Sequence, residues 1–118
     1  MLAVTGVNGC RYCSYFHSGQ ALKSGISPEE IEMLLSSTVG DCPEEEKAGI
    51  LYAQHWAETN AHPEPEAVAK LQETYGDEKA RAIHLILRMI RTGNLMGNSF
   101  DYLLYLLTFG KRGNQPLV

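Results

Sequence analysis

The sequence predicts an all-α protein, a compact bundle of about five to seven helices in one domain spanning residues 1–118. Three observations carry this. Helix-start signals recur along the chain, apolar residues return every three or four positions, and no stretch alternates apolar and polar residues as a half-buried strand would. A chain of 118 residues can bury one core without covalent staples. With 44% hydrophobic and 20% charged residues, neither disorder nor a fibrous repeat is expected.

The elements follow in order. Asn8–Gly9 reads as a turn from which Cys10 opens a helix through His17. In "SGISPEEIEMLLSS", Ser27, Pro28 and Glu30 read as N-cap, first-turn proline and capping-box acid, ahead of Ile31, Leu34 and Leu35 at helical spacing. "DCPEEEKAGILYAQHWAETN" begins at Asp41 and Pro43 and places Glu44, Glu45 and Glu46 where a helix dipole favours anions. It sets Ala48, Leu51, Tyr52 and His55 on one stripe and ends near Asn60. "HPEPEAVAKLQETYG" predicts a short helix from about Pro65, stopped by Gly76. A long helix follows from Asp77 through Ile83, Ile86, Leu87 and Ile90, with a bend or a split expected at Gly93 or Gly97. "FDYLLYLLTF" is apolar on nearly every side, which predicts either deep burial or packing against another subunit. From Lys111 onward the tail is expected to be loose, or to dock only in an oligomer.

Charge narrows the function classes. The formal net charge is −4, and ten Lys and Arg are scattered without a clustered basic face, so nucleic acid is not an expected partner. "MLAVTGVNG" has no charged leader region, and no run approaches the ~20 apolar residues of a membrane span. The expected compartment is the cytoplasm.

Three cysteines are present, and in "NGCRYCSYFH" two of them form C-x-x-C with a histidine four residues on. In a reducing compartment such a pair is more often redox-active, catalytic or metal-binding than structural. On a helix opened by Cys10, the residues Cys10, Cys13 and His17 fall at i, i+3 and i+7 and share a face. The first helical turn lowers a thiol pKa, more at Cys10 than at Cys13, and His17 lies one turn beyond Cys13, within reach of its proton directly or through a water. Two alternatives stand beside this. Buried cysteines and a core histidine can share a face by coincidence, and zinc or an iron–sulfur cluster can use the same residues, with His55, His84, Cys42 or a second subunit completing the ligand set.

The segment from Leu2 to Ser36, an acidic helix and then "EKARAIHLILRMIRTGNLMGNSFDYLL" together resemble the alkylhydroperoxidase D and carboxymuconolactone decarboxylase-like superfamily over nearly the whole chain. The most specific element is C-x-x-C-x-x-x-H preceded by Asn-Gly, with weaker support around Asn94 and Asn98. The resemblance implies an all-helical fold assembled into trimers or hexamers. It implies an antioxidant peroxidase or disulfide reductase in which Cys13 attacks the peroxide, Cys10 resolves and His17 relays protons. The decarboxylase branch lacks the cysteine pair. No bound organic cofactor or metal is implied; the substrate is a hydroperoxide or a disulfide, and electrons come from a thiol or a lipoyl-bearing reductant protein. In two places the chain departs from that pattern. A relay glutamate about three turns upstream of the first cysteine would fall before Met1, together with most of its helix, leaving another acid such as Glu58 or a neighbouring subunit to replace it. A histidine between the cysteines is replaced by Tyr12. These departures leave several readings open beside the thiol oxidoreductase: a sequence that starts late, a substitute acid, a weak peroxidase with some other thiol role, or a structural or interaction domain whose motif has lost activity.

The remaining candidates have blander expectations. Cys42 is expected as an exposed thiol near a helix start without a function, His55 and His84 as satisfied core histidines, and His62 as a solvated loop residue. Asn94 and Asn98 are expected to hydrogen-bond nearby backbone or cap a broken helix, and Tyr12, Tyr15 and Phe16 to wall the cysteine pocket or pack in the core.

Overall fold

A computed structural model describes residues 1–39 and 42–113. The predicted helix start at Asp41 and the end of the predicted tail lie outside the described residues. Five helices account for these residues: α1 (Leu2–Asn8), α2 (Arg11–Lys23), α3 (Pro28–Leu35), α4 (Glu44–Glu58) and α5 (Pro65–Leu107). The all-α expectation holds.

Short as it is, α1 is the hub. Leu2, Ala3, Val4 and Thr5 are all buried, and α2, α3, α4 and α5 all pack against it. A helix apolar on every side is stable in water only when surrounded, and this one is. Gly9 closes α1 in the left-handed conformation, donating its N–H to the Thr5 carbonyl, and the chain turns directly into α2. The start of α3 follows its sequence signals: Pro28 occupies the first turn and the Ser27 hydroxyl accepts from the Glu30 N–H at 3.2 Å. Ile31 is buried there with Leu2 and Ala21, and Leu34 and Leu35 pack against them.

The larger core joins Val4 of α1, Tyr52 and Trp56 of α4, and Leu71, Leu87 and Ile90 of α5. The stripe expected on α4 holds at Tyr52, which faces the core with Ala53, Trp56 and Ala57, whereas Leu51 is exposed. Both α1 and α5 pack against α4. The buried face runs through Trp56, which the stripe read from Ala48, Leu51, Tyr52 and His55 leaves out.

Gly76 interrupts α5 with φ 78° and ψ 165°, a region open almost only to glycine, so the expected stop falls at the predicted residue and a second helical segment resumes at once. No break occurs at Gly93 or Gly97, contrary to expectation; the missing side chain of Gly97 instead leaves room for the Cys10 sulfur. The apolar C-terminal part of α5 is not buried: Met96, Phe100, Leu103, Leu106 and Leu107 are exposed. Of the two alternatives read from that segment, burial within its own chain is therefore the one that fails. Among the described residues no helix is long and apolar enough to cross a membrane.

Candidate active site

Cys10 is the N-cap of α2 and sits just outside the helix, with φ −80° and ψ 107°. Its sulfur accepts the Cys13 N–H at 3.3 Å, a role in which serine or aspartate is more usual. The two sulfurs hydrogen-bond at 2.7 Å, and both thiols are free. Cys10 is completely buried and Cys13 is half-buried, so Cys13 is the more accessible of the pair.

The wall behind the sulfurs is α5. A Cβ built on Gly97 would lie 2.5 Å from the Cys10 sulfur, 3.7 Å from the Tyr12 ring and 3.8 Å from the Cys13 sulfur, so the pair and Tyr12 converge on the space that this glycine leaves. At Gly93 the nearest atom is the Cys13 sulfur at 4.0 Å. Around that contact, Asn94 is fully buried; it donates to the Thr5 hydroxyl at 3.1 Å and accepts from the Asn8 side chain at 3.1 Å. Asn98 donates to the Asn8 carbonyl at 2.9 Å. Both asparagines thus hold the turn before Cys10 from an unbroken helix, Asn98 through backbone as expected and Asn94 through the side chains of Thr5 and Asn8 instead.

One turn further along α5 is Asp101, a buried carboxylate. Its Oδ1 accepts from Arg11 at 2.5 Å and from the Tyr12 hydroxyl at 3.0 Å. Arg11 and Tyr12 are the two residues between the cysteines. Nothing in the sequence pattern singles out Asp101; the available signal was its i+4 spacing from Gly97 and i+7 spacing from Asn94 on one helix face.

The electrostatics correct one expectation. Burial, and next the hydrogen bond with Cys10, push the Cys13 thiol up, while the hydrogen bond with Asn94 pulls the other way. Desolvation outweighs the helix N-terminus here, so Cys13 does not carry the lowered pKa expected of it.

His17 occupies α2 one turn beyond Cys13, but no hydrogen bond joins it to either sulfur. Its ring packs edge-on to Phe16 at 5.2 Å and lines a cavity of about 470 Å³ with Ala3, Ala21 and Leu87 that neither cysteine reaches. Burial, then the charge of the Met1 amine, lowers its pKa, so it is neutral at pH 7. The three predicted residues are therefore not brought together: Cys10 meets Cys13 from the N-cap, and no hydrogen bond joins His17 to either sulfur.

Other candidates resolve plainly. Tyr15 and Phe16 are exposed and do not wall the pair; Tyr12 does. Cys42 is buried, not exposed. His55 accepts the Glu64 N–H at 3.3 Å, His84 hydrogen-bonds the Tyr52 hydroxyl at 3.1 Å, and exposed His62 meets the Asn60 carbonyl. Glu58 is exposed and has no hydrogen bond to the cysteines or to His17. Among the described residues, no three His, Cys, Asp or Glu side chains gather where a metal ion could be held.

The carboxymuconolactone decarboxylase family model matches residues 1–54, which covers α1 to α3 and most of α4 and includes Cys10, Cys13 and His17. Comparison with curated proteins gave no match, and comparison with solved structures gave none. Residues 1–54 thus form a helical element similar to the carboxymuconolactone decarboxylase and alkylhydroperoxidase D type, carrying the Cys10–Cys13–His17 spacing inside an all-α bundle. The asparagines, Gly97 and Asp101 lie outside the matched segment.

Proposed function

We propose that this protein is a thiol oxidoreductase of the alkylhydroperoxidase D type that cycles Cys10 and Cys13 between dithiol and disulfide. The observation that supports this best is the 2.7 Å separation of the two sulfurs, one buried and one reachable from solvent. A further approach of about 0.7 Å brings them to the length of a disulfide bond, ~2.04 Å.

With a hydroperoxide, the Cys13 thiolate attacks the terminal peroxide oxygen; an S–O bond forms, the O–O bond breaks, and the alcohol leaves with the proton it gains. Cys10 then loses its proton and attacks the sulfenic sulfur, forming the disulfide and releasing water. An external dithiol, a small thiol or a lipoyl-bearing protein, returns two electrons and two protons. A disulfide substrate follows the same exchange with a thiol as the leaving group. The resting Cys13 is a thiol, so its proton must leave on attack. Asn94 favours the resulting anion, and neutral His17, one turn away, is competent to take the proton through a water. The exposed apolar face of α5 is the surface through which copies of the chain associate into a trimer or hexamer, and the thiol cycle suits a reducing compartment such as the cytoplasm.

The test is exposure to one equivalent of hydrogen peroxide followed by thiol titration under denaturing conditions, with Cys10 and Cys13 tracked by peptide mass. A Cys10–Cys13 disulfide reversed by a dithiol is expected. Cys13→Ser abolishes peroxide consumption, and His17→Ala slows it by about 100-fold, the usual contribution of a positioned general base. Free thiols after peroxide, or variants equal to wild type with a reductant present, refute the proposal.

A further inference from the structure

Asp101 stands apart from the redox chemistry just proposed, yet it is the one buried carboxylate among the described residues and both of its partners lie inside C-R-Y-C. A carboxylate with 7% of its side chain exposed has lost most of its hydration and is held there only by strong partners. It spends Oδ1 on Arg11 and Tyr12 together, and Arg11 also donates to the Tyr12 hydroxyl at 3.1 Å while its guanidinium lies 5.0 Å from the centre of the Tyr12 ring. The ring of that same tyrosine and both sulfurs meet at the missing Gly97 side chain. Asp101 is thus hydrogen-bonded to both residues between the cysteines, and the Tyr12 ring borders the same gap at Gly97 that the sulfurs border.

We propose that Asp101 is a positioning residue of the cysteine pair: it pins the segment between Cys10 and Cys13 to α5 and cancels the Arg11 charge that would otherwise draw out the thiolate. The charged and titratable groups beside the pair are Arg11 and Tyr12 of α2, Asp101 of α5 and the thiols themselves, while His17 lines a cavity that neither cysteine reaches. α1 contributes the uncharged Thr5 and Asn8, and α5 adds the uncharged Asn94 and Asn98. In this environment one unpaired charge on the Arg11–Asp101 pair changes the thiolate population directly, since a neighbouring cation favours the anion and a neighbouring anion opposes it. Regulation of the cysteines by Asp101 gains its meaning from the redox reading, but thiol reactivity reports on it whether or not that reading holds.

The experiment measures site-resolved alkylation of Cys13 by iodoacetamide as a function of pH, on the full chain in its native oligomeric state. Asp101→Asn leaves Arg11 unpaired and is expected to speed alkylation at pH 7 by about threefold or more, with the profile displaced to lower pH. Arg11→Gln leaves Asp101 with the Tyr12 hydroxyl as its remaining partner and is expected to slow it by a similar factor; because half of the Arg11 side chain is exposed, Asp101→Asn strands only a solvated cation and keeps the fold even if Arg11→Gln, which strands a buried carboxylate, does not. The double variant returns towards wild type, and Asp101→Glu preserves the wild-type profile. Opposite signs from the two single variants cannot arise from mere loosening of the fold. Equal signs, or profiles identical to wild type in folded variants, overturn the proposal. Failure of wild type to form the Cys10–Cys13 disulfide with peroxide overturns the redox reading alone.

Discussion

Replacing Gly97 with alanine tests the close contact between α5 and the cysteine pair. The added methyl would sit 2.5 Å from the Cys10 sulfur, more than 1 Å inside ordinary contact, with Tyr12 and Cys13 at 3.7 and 3.8 Å closing the other escape routes. Cys10 cannot swing aside cheaply, because it is completely buried and its sulfur caps α2 through the Cys13 N–H. Overpacking of this kind costs about 1–3 kcal/mol, against which glycine-to-alanine in a helix interior returns about 1 kcal/mol. The net expectation is destabilisation of up to about 2 kcal/mol. Gly93→Ala is the matched control on the same helix: its nearest neighbour is 4.0 Å away, so only the propensity gain of up to about 1 kcal/mol remains and the variant is stabilised. Urea unfolding at one fixed protein concentration measures both, since association would otherwise shift the midpoints. Adding Cys10→Ala to Gly97→Ala removes the clashing sulfur, and the double-mutant cycle is expected to show at least about 1 kcal/mol of coupling. Gly97→Ala as stable as Gly93→Ala, or no coupling to Cys10, refutes this account of the contact.

Two further predictions concern other parts of the chain. Gly76→Ala is expected to destabilise by about 1–3 kcal/mol through backbone strain alone, because φ 78° and ψ 165° are nearly closed to alanine while no atom lies within 4 Å of the new methyl; an unchanged urea midpoint would contradict it. The pKa of His84 is lowered first by burial and then by Arg88, and that of His17 by burial and then by the Met1 amine, so folding favours the neutral rings. Their contribution is therefore present above the unfolded value of about 6.5 and is lost as pH falls through the lowered folded values. Melting temperature should drop on acidification below about pH 6.5, less steeply in His84→Gln; a steeper drop in that variant would reverse the sign.

Local signals carried the helices well because their causes are local. A serine cap, a first-turn proline and a positive-φ glycine act within one turn, and Ser27, Pro28 and Gly76 all do what their chemistry predicts. What a glycine inside a helix is for depends on what approaches it, and that partner is far away in sequence. Gly97 therefore reads as a hinge in isolation and as a socket for Cys10 once the chain has folded. The α4 stripe held at Tyr52 and missed Trp56 for a related reason, since helical periodicity identifies a face but the packing neighbours decide which part of it is covered. The Cys13 thiol, expected to be acidic from its place on α2, is likewise pushed up by its folded surroundings, first by burial and then by the hydrogen bond with Cys10, while Asn94 of α5 pulls the other way.

The cysteine site is in this sense divided between two ends of the chain. The cysteines and His17 belong to the segment matched by the family model, while the residues that determine how the cysteines behave lie some 90 positions later on one face of α5. Asn94, Gly97, Asn98 and Asp101 are spaced i, i+3, i+4 and i+7, and each contributes differently. Asn94 holds the preceding turn, Gly97 admits the sulfurs, Asn98 fixes the Asn8 carbonyl, and Asp101 pairs with the residues between the cysteines. A chain could keep C-x-x-C-x-x-x-H intact and still change its thiol chemistry through α5 alone. A carboxylate paired with Arg11 leaves the pair electrically quiet, whereas a neutral residue at 101 would leave a bare cation beside it. Likeness over residues 1–54 therefore speaks to the presence of the pair, and the reactivity of the pair has to be read from Asp101, Tyr12 and Gly97.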